Sequence, residues 1–543
     1  MSVPPYQFNL WHEPWIRVTR LDGSGANLGI GTCLAEASTL AALSDPSPLV
    51  VGGTHRLLTA ILQAIYAPQS LGTIADLLTS GQFDQMRLQA FAAMHGERFD
   101  LFHPETPFLQ TGDVPLDAWS RPKKDRQPDW SDPKPVSVLF VEVPSETNRT
   151  HFHHVTDDTH QCCPSCCARG LITIPSFASS GGARIRPSIN GVPPIYVLPS
   201  GTNLYESLVY SLVTPDFQPT IADPVRSDIA AWHREASVRR EAQMSSAGYL
   251  ESLTFPARRV RLYPRAQPSH CTHCGAATQI VVGEVLFTMG HWLGEGSGIW
   301  DDPFVAFRRP RGKGKSTDSG PKAVRPEEGK ALWREYSGLL LARGEEVQLR
   351  PKVVRQLARL VENYGVGTTA PLLRFRCVGM RTDGKAKIFE WLDEALEVPP
   401  AILNDDDAAQ YVDDALRFAD DVRFILESCF DHHFRPERDR GGRNAKLVRF
   451  KTVRARMTAD YWAHLAPLFR RLIADLANVD GREAVARDWV ASLVREGNQR
   501  FELAAHQVGM SAEALRARVE AQAECRRRLY AKQKEQTAEG VNQ

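Results

Sequence analysis

Two pairs of cysteines place the tightest constraint on how this chain can fold. Cys163 and Cys166 form one Cys-x2-Cys unit, Cys271 and Cys274 another, and Gly275 follows the second as a turn former. Thiolates at this spacing suit a borderline-soft dication with tetrahedral geometry, and two pairs fill all four positions. A zinc site closed by four thiolates leaves no place for water, so it reads as structural rather than catalytic. Compact zinc fingers separate their knuckles by about 12–20 residues; here 104 residues lie between Cys166 and Cys271. The metal is therefore expected to clip two remote parts of one large domain. Cys162 and Cys167 leave two other registers open, Cys162-x3-Cys166 and Cys163-x3-Cys167. Ordinary buried thiols or disulfides are the competing reading.

Composition narrows the setting. At 543 residues the chain is long enough for two to four domains and can bury a large core without disulfides. Six of its ten cysteines crowd into the two clusters, which fits a reducing compartment and a metal better than a secreted disulfide framework. Net charge is +1, so a nucleic-acid surface has to be a local patch. The start, Met-Ser-Val-Pro-Pro-Tyr, lacks the basic and apolar regions of a signal peptide, and no apolar run reaches membrane-spanning length. A cytoplasmic protein without membrane contact is expected.

Along the chain, Phe8–Leu10 and Pro14–Val18 read as short strands, and 34–43, 54–66 and 83–95 as helices. In the second of these helices Leu57, Leu58, Ile61, Leu62 and Ile65 form one apolar stripe. Residues 119–135, with Arg121, Lys123, Lys124 and Arg126, read as a polar surface loop, and 136–143 as a strand. A long loop, 144–161, carries His151, His153, His154 and His160 into the first knuckle. Leu171–Ile174 and Ile195–Leu198 look strand-like, 204–213 helical, and 217–250 helical with excursions. Strands 260–263 and 279–282 flank the second knuckle. A strand from Phe304 leads into the basic loop Arg308-Arg-Pro-Arg-Gly-Lys-Gly-Lys315, which is either a solvated hairpin tip or a phosphate contact. Helix 350–364 and strand 372–378 precede a hairpin turning on Asp383-Gly384. Beyond about residue 398 strand signals vanish, and four helical segments follow, near 408–429, 459–477, 482–495 and 512–530. The fold class is α+β. A large mixed domain, 1–398, carries the zinc clip, and an antiparallel four-helix bundle, 399–543, follows.

No catalytic motif of the common kinds occurs: no Walker A loop, no Gly-x-Ser-x-Gly elbow, no His-Glu-x-x-His and no dinucleotide fingerprint. Acidic clusters such as Asp405–Asp407 fall at helix starts, where carboxylates are favoured anyway. The stretch Ser179-Ser-Gly-Gly-Ala-Arg-Ile-Arg186 combines small residues, which let a backbone approach a partner closely, with two arginines. A non-catalytic binding subunit for nucleic acid is the reading these features favour.

Several ordered motifs resemble one family. They are Phe8-Asn-Leu with Pro14-Trp-Ile-Arg-Val, His103-Pro-Glu-Thr-Pro-Phe-Leu-Gln110, Thr147-Asn148 before the first knuckle, Asn190-Gly191-Val-Pro-Pro194, and Gly298-Ile-Trp300. With both knuckles and the terminal helices, they resemble, collinearly over nearly the whole chain, the large subunit of type I-E CRISPR Cascade complexes, the CasA family. The resemblance implies a subunit of an RNA-guided complex that reads a protospacer-adjacent motif in duplex DNA from the minor groove. It further implies that a hairpin wedge splits the duplex to start R-loop formation and that a helicase-nuclease docks on the subunit. Implied partners are double-stranded target DNA, the guide-RNA complex with its small-subunit dimer, backbone subunits and guide 5′-end subunit, and the helicase-nuclease.

Carried over by position, motif reading falls to Asn148, Phe152, Ser180, Gly181, Gly182 and Ala183, and the wedge is Asp383, Gly384, Lys385 and Ala386. Gly384 and Lys385 stand where relatives often place glutamine or asparagine. Thr288–His291 aligns with the family's minor-groove lysine but has none, leaving His291 as the substitute. Arg308, Arg309, Arg311 and Lys313 are the expected phosphate contacts. Zinc on Cys163, Cys166, Cys271 and Cys274 is the expected cofactor. Two other readings compete: a zinc-clipped, metal-dependent DNA nuclease using the 151–160 histidines, and a scaffold that only holds other subunits.

Overall fold

A computed structural model describes residues 6–119, 121–127, 130, 132–141, 143, 160–180, 185–220, 227–233, 235, 241–294, 300–309, 320–341, 348–368, 371–383, 388–434 and 445–539. They form two compact units. The first comprises Met1–Glu328, Glu346–Thr369 and Leu373–Leu396; the second comprises Gly329–Glu345, Ala370–Leu372 and Glu397–Gln543. No single helix among the described residues is long and apolar enough to cross a membrane.

The first unit is built around the helix Pro48–Tyr66. Proline at its first turn presets the helical φ and lacks the N–H that would go unpaired there. Nearly the whole helix is buried, including polar positions such as Thr59 and Gln63. Gln63 makes reciprocal bonds with the backbone of Val213, at 2.9 and 3.0 Å, so its burial leaves no amide group unmatched. Gly53 is needed for packing: a Cβ there would strike the carbonyl oxygen of Ile172 on the neighbouring helix Pro164–Phe177.

Sheets wrap this centre. Ile16–Arg20 pairs antiparallel with both Gly25–Leu28 and Leu40–Leu43. The long antiparallel strands Arg258–His270 and Ala277–Met289 form a hairpin, and Lys134–Pro135 adds to its edge. Leu373–Thr382 lies between Ile388–Val398 and Tyr196–Ser200. The segment His103–Gln110 packs along the long hairpin. Arg261 donates to the carbonyls of His103 and Pro104 at 3.3 and 3.0 Å, and Leu262 N–H donates to the Gln110 side chain at 2.8 Å.

Several local expectations fail for physical reasons. Leu171–Ile174, strand-like by its β-branched residues, lies inside the helix Pro164–Phe177. That helix starts with Cys163 as N-cap and proline at the first turn, and burial of almost every residue overrides the weak intrinsic preference. The expected helix 34–43 is divided into a helix Ile30–Ala35, a 3-10 turn Ala37–Thr39 and the strand Leu40–Leu43, which the first sheet recruits. Val136–Leu139 is a 3-10 turn rather than the start of a strand, entered from Pro135. Within 217–250 the described residues include the end of the 3-10 turn Pro215–Phe217, the short strand Ala242–Met244 and the start of the helix Tyr249–Leu253. The 119–135 segment is held down by its aromatic residues. Trp130 is buried with Tyr263 and Leu286, and Trp119 packs against that group beneath the Arg126 guanidinium at 4.6 Å.

A buried ion pair ties the centre of the first unit together. Arg56 donates to both carboxylate oxygens of Asp302, at 3.0 and 2.7 Å, with both side chains almost wholly buried. Asn190 also donates to Asp302 at 2.9 Å, and the Arg56 guanidinium lies over the Tyr196 ring at 4.6 Å. Burial works to lower the Arg56 pKa, and the adjacent Asp302 carboxylate overrides it to raise the pKa. Removing one member would leave the other charged and buried. Asp302→Ala is therefore expected to cost about 3–5 kcal/mol in chemical denaturation of the first unit, and an unchanged midpoint would contradict the network's role.

The second unit contains the long helices Asp406–His433, Ala445–Asp475, Arg482–Ala505 and Ala512–Glu539. Asp405 caps the first by accepting from Ala408 N–H at 2.9 Å, and it also pairs with Arg482 at 2.6 Å. Burial acts to raise the Asp405 pKa; the Arg482 and Ala408 hydrogen bonds outweigh it and hold the carboxyl below its ordinary range. The helices touch one another through Tyr461 to the Ala419 carbonyl at 3.1 Å, Trp489 to the Ala415 carbonyl at 3.1 Å, and His433 to Glu524 at 2.8 Å. The earlier segment Leu332–Leu340 belongs here too: Trp333 packs on Phe469 at 4.8 Å and Trp462 at 5.6 Å.

Candidate functional site

Four sulfurs converge where the knuckle helix meets the tip of the long hairpin. Cys163 is the N-cap of Pro164–Phe177 and Cys166 lies in its first turn, where free N–H groups and the helix dipole favour thiolates. Cys271–Cys274 occupies the hairpin turn. Gly275 has φ 75°, a left-handed conformation that glycine adopts without strain, and its N–H bonds the Cys271 carbonyl at 2.8 Å. The two knuckles are held in register by backbone. Thr272 N–H donates to Gln161 O at 2.8 Å, and Cys162 and Val282 exchange both backbone bonds at 2.9 Å.

Cys163, Cys166, Cys271 and Cys274 have ligand atoms that all lie within 4.8 Å of one another. The Cys163–Cys274 and Cys166–Cys271 sulfurs are 3.8 and 3.7 Å apart. A disulfide would need about 2.05 Å. Four thiolates at about 2.3 Å from a tetrahedral zinc ion lie roughly 3.8 Å apart, so the donor set and spacing fit the metal. Cys162 and Cys167 are buried but lie outside this group, so the structure gathers the Cys-x2-Cys pair. Arg169 reaches Cys166 Sγ at 3.6 Å while donating to the Trp15 carbonyl at 2.9 Å.

A second site lies at the other end of the long hairpin. Ser180 is half-buried, while Gly181, Gly182 and Ala183 lie outside the described residues. The shoulders of that stretch are described. Ser188 N–H donates to Ala178 O at 2.8 Å. The buried Arg258 donates to Ser179 O on one side and to Arg186 O, at 2.8 Å, on the other. Arg186 N–H in turn points at the Met289 sulfur at 3.3 Å, and its guanidinium lies over the Trp292 ring at 5.4 Å. Burial lowers the Arg258 pKa to about 10, so the group stays charged at neutral pH. His291 sits between Met289 and Trp292 on the strand His291–Leu293; it is half-buried, and its N–H bonds Pro256 O at 2.8 Å. Arg186 thus meets Met289 and Trp292, far from it in sequence.

Other expected positions are dispersed. Arg308 lies on the short strand Phe307–Arg308, paired with Lys322–Ala323, and its guanidinium is 3.6 Å from Glu327. Arg309 is exposed, whereas Arg311 and Lys313 lie outside the described residues. Asp383 follows the strand Leu373–Thr382, and Gly384, Lys385 and Ala386 also lie outside. The described base of that hairpin is well tied: Arg381 lies over Phe389 at 4.7 Å, and Arg376 grips both Asp393 oxygens at 2.7 Å. Asn148, Phe152, His151, His153 and His154 lie outside the described residues. His160 packs near Phe140, with ring centres 6.3 Å apart, and belongs to no group of metal-ligating side chains among the described residues. Sequence reasoning missed Arg258, Met289 and Trp292. The one signal available was Arg258-Arg259-Val-Arg261, three cations in a strand otherwise fit for burial.

Comparison with known proteins agrees with this architecture. A profile of the family described as CRISPR-associated protein Cse1 matches residues 9–499. A Thermus thermophilus protein described as CRISPR-associated protein CasA/Cse1 is 27% identical over 492 residues, covering 86% of this chain and 87% of its own. Among solved structures, Cse1 from Acidimicrobium ferrooxidans superposes with a TM-score of 0.76 at 22% identity, covering 98% of this chain and 99% of its own. A chain from a structure described as a CRISPR RNA-guided surveillance complex does so with a TM-score of 0.71 at 18% identity, covering 96% of this chain and 100% of its own. Fold and sequence together place the chain among the CRISPR-associated proteins. It belongs to the Cse1 family, also called CasA, as the resemblance in the sequence indicated.

Proposed function

We propose that this chain is the non-catalytic subunit with which a cytoplasmic type I-E RNA-guided complex inspects duplex DNA. The observation that carries the reading is the family match over residues 9–499. The kinship in fold with a chain of a CRISPR RNA-guided surveillance complex supports it. Within the chain, the meeting of Arg186 with Met289 and Trp292 adds support. The minor groove offers a narrow, degenerate code. A glycine-rich backbone, Ser180 to Ala183, approaches its floor and accepts several motifs. The 383–386 hairpin then enters the base stack. Unstacking costs a few kcal/mol per step, which inserted groups and backbone contacts offset. Asn148 and Phe152 join the motif contact. The helical unit docks on the small-subunit dimer, and the assembled surface recruits the helicase-nuclease. Backbone subunits and the guide 5′-end subunit complete the complex.

Zinc is the cofactor. Cys163, Cys166, Cys271 and Cys274 hold it, and it supplies no chemistry beyond joining the knuckle helix to the hairpin. None of the relatives named above is described as a nuclease, and His160 stands outside any metal-ligating group among the described residues.

The test is a complex assembled with and without this subunit, titrated with duplexes that vary only in the motif. Motif-dependent binding is expected only when the subunit is present. Neutralising Arg309, Arg311 and Lys313 together should weaken binding to all sequences alike and lower the salt slope by roughly one per lost phosphate contact. Equal motif dependence without the subunit would overturn the reading.

A further inference from the structure

Arg186 has a setting that the aligned motif positions do not account for. Its side chain is exposed, yet its backbone is pinned on both sides, by Met289 Sδ at 3.3 Å and by Arg258 Nη1 at 2.8 Å. The guanidinium is steadied over the Trp292 ring at 5.4 Å. Among the described residues it pairs with no carboxylate, and neither does Arg258 beneath it. Arg258 is 3% exposed and spends its donors on the carbonyls of Ala257, Ser179 and Arg186. Two cations without a carboxylate partner among the described residues, one buried and one at the surface, make a local positive field in a chain whose net charge is only +1. An exposed arginine whose backbone and ring partner hold it in place has lost much of the entropy that binding would otherwise cost. The enhanced negative potential of a narrow minor groove attracts arginine. His291, by contrast, is half-buried, with its backbone engaged by Pro256.

We infer that Arg186, rather than His291, is the cation that enters the DNA minor groove beside the motif, and that Arg258 and Trp292 are the residues that position it. The inference rests on the reading of this chain as a motif-inspecting subunit. It adds a residue that the aligned lysine position, 288–291, does not contain.

The test uses the complete assembled complex and paired duplexes, one with the motif and one with it scrambled. Arg186→Ala should lower the affinity ratio between them about tenfold, the scale of one lost base-edge contact, and His291→Ala should change it by less than about twofold. Arg186→Lys keeps the charge and should keep the salt slope while recovering only part of the ratio. Arg258→Lys should lower the ratio while zinc content and binding to the scrambled duplex stay unchanged, a selective loss that general destabilisation would not give. If Arg186→Ala weakens both duplexes equally, or leaves the ratio within about twofold while Gly182→Asp abolishes it, the inference fails and the parent reading stands. If neither Arg186→Ala nor Gly182→Asp alters the ratio, the parent reading fails with it.

Discussion

Cys271→Ser is expected to abolish zinc binding and to destabilise the first unit, beginning at the clip, while the long helices of the second stay folded. One thiolate is lost from a set of four whose sulfurs already stand at zinc-compatible spacing, 3.7 and 3.8 Å. Binding free energy at such a site is folding free energy, about 10 kcal/mol or more for small zinc domains. This unit has a large core of its own, so that figure is an upper bound here. The loss should be local to the clip. Hydrogen exchange should rise first in the helix Pro164–Phe177 and the strands Arg258–His270 and Ala277–Met289. Helices from Asp406 onward share no ligand with the clip and should keep their protection. Cys167→Ala is the control, because Cys167 is buried yet outside the four-sulfur group; it should retain one zinc per chain. Wild-type protein without zinc, with Cys271→Ser behaving like wild type, would remove the clip from the account.

Lys385→Ala and Gly182→Asp should separate on DNA that is already open. On the proposed reading, side-chain bulk and negative charge at Gly182 would hold the backbone off the groove floor and repel phosphate. Motif-dependent binding should therefore disappear. Lys385→Ala should leave that first recognition intact and slow strand opening by about tenfold, the equivalent of roughly 1.4 kcal/mol, which is close to the mean cost of one base-pair step. A short mismatched bubble beside the motif removes the opening cost. It should restore Lys385→Ala to near wild-type rates and do far less for Gly182→Asp. The described hairpin base is tied by Arg376 to Asp393 and by Arg381 to Phe389 and Glu390. Equal rescue of both variants, or of neither, would refute this division of roles.

These two experiments probe features that differ in how legible they were. The cysteine pairs could be read because metal-ligand spacing is local: each knuckle is complete within four residues, and only the partner has to be found. The terminal helices were legible for a similar reason. Apolar residues at Tyr411, Val412, Ala415, Phe418, Ala419, Val422 and Leu426 recur at a helical period whatever lies nearby, and all but the half-buried Tyr411 are buried. The actual helix runs Asp406–His433, longer than the apolar pattern alone marks, because Asp405 caps its start and the polar positions ride on the solvent side.

Tertiary structure decided what depends on partners distant in sequence. Leu40–Leu43 became a strand because Ile16–Arg20 had an edge to pair, and Leu171–Ile174 became helix because the surrounding core accepts its β-branched side chains. Neither partner is visible in a local window. Leu332–Leu340 joined the helical unit through Trp333 and Tyr336 on Phe469, a contact spanning more sequence than any periodicity reports. The same holds for Arg186. Sequence placed it after a glycine stretch, and the fold brought Met289, Trp292 and Arg258 to it. The spacing of side chains along one element is set by backbone geometry and can be read from the chain. Which elements face one another is set by burial and by satisfying buried polar groups such as Arg258 and Asp302, and those balances close only in three dimensions.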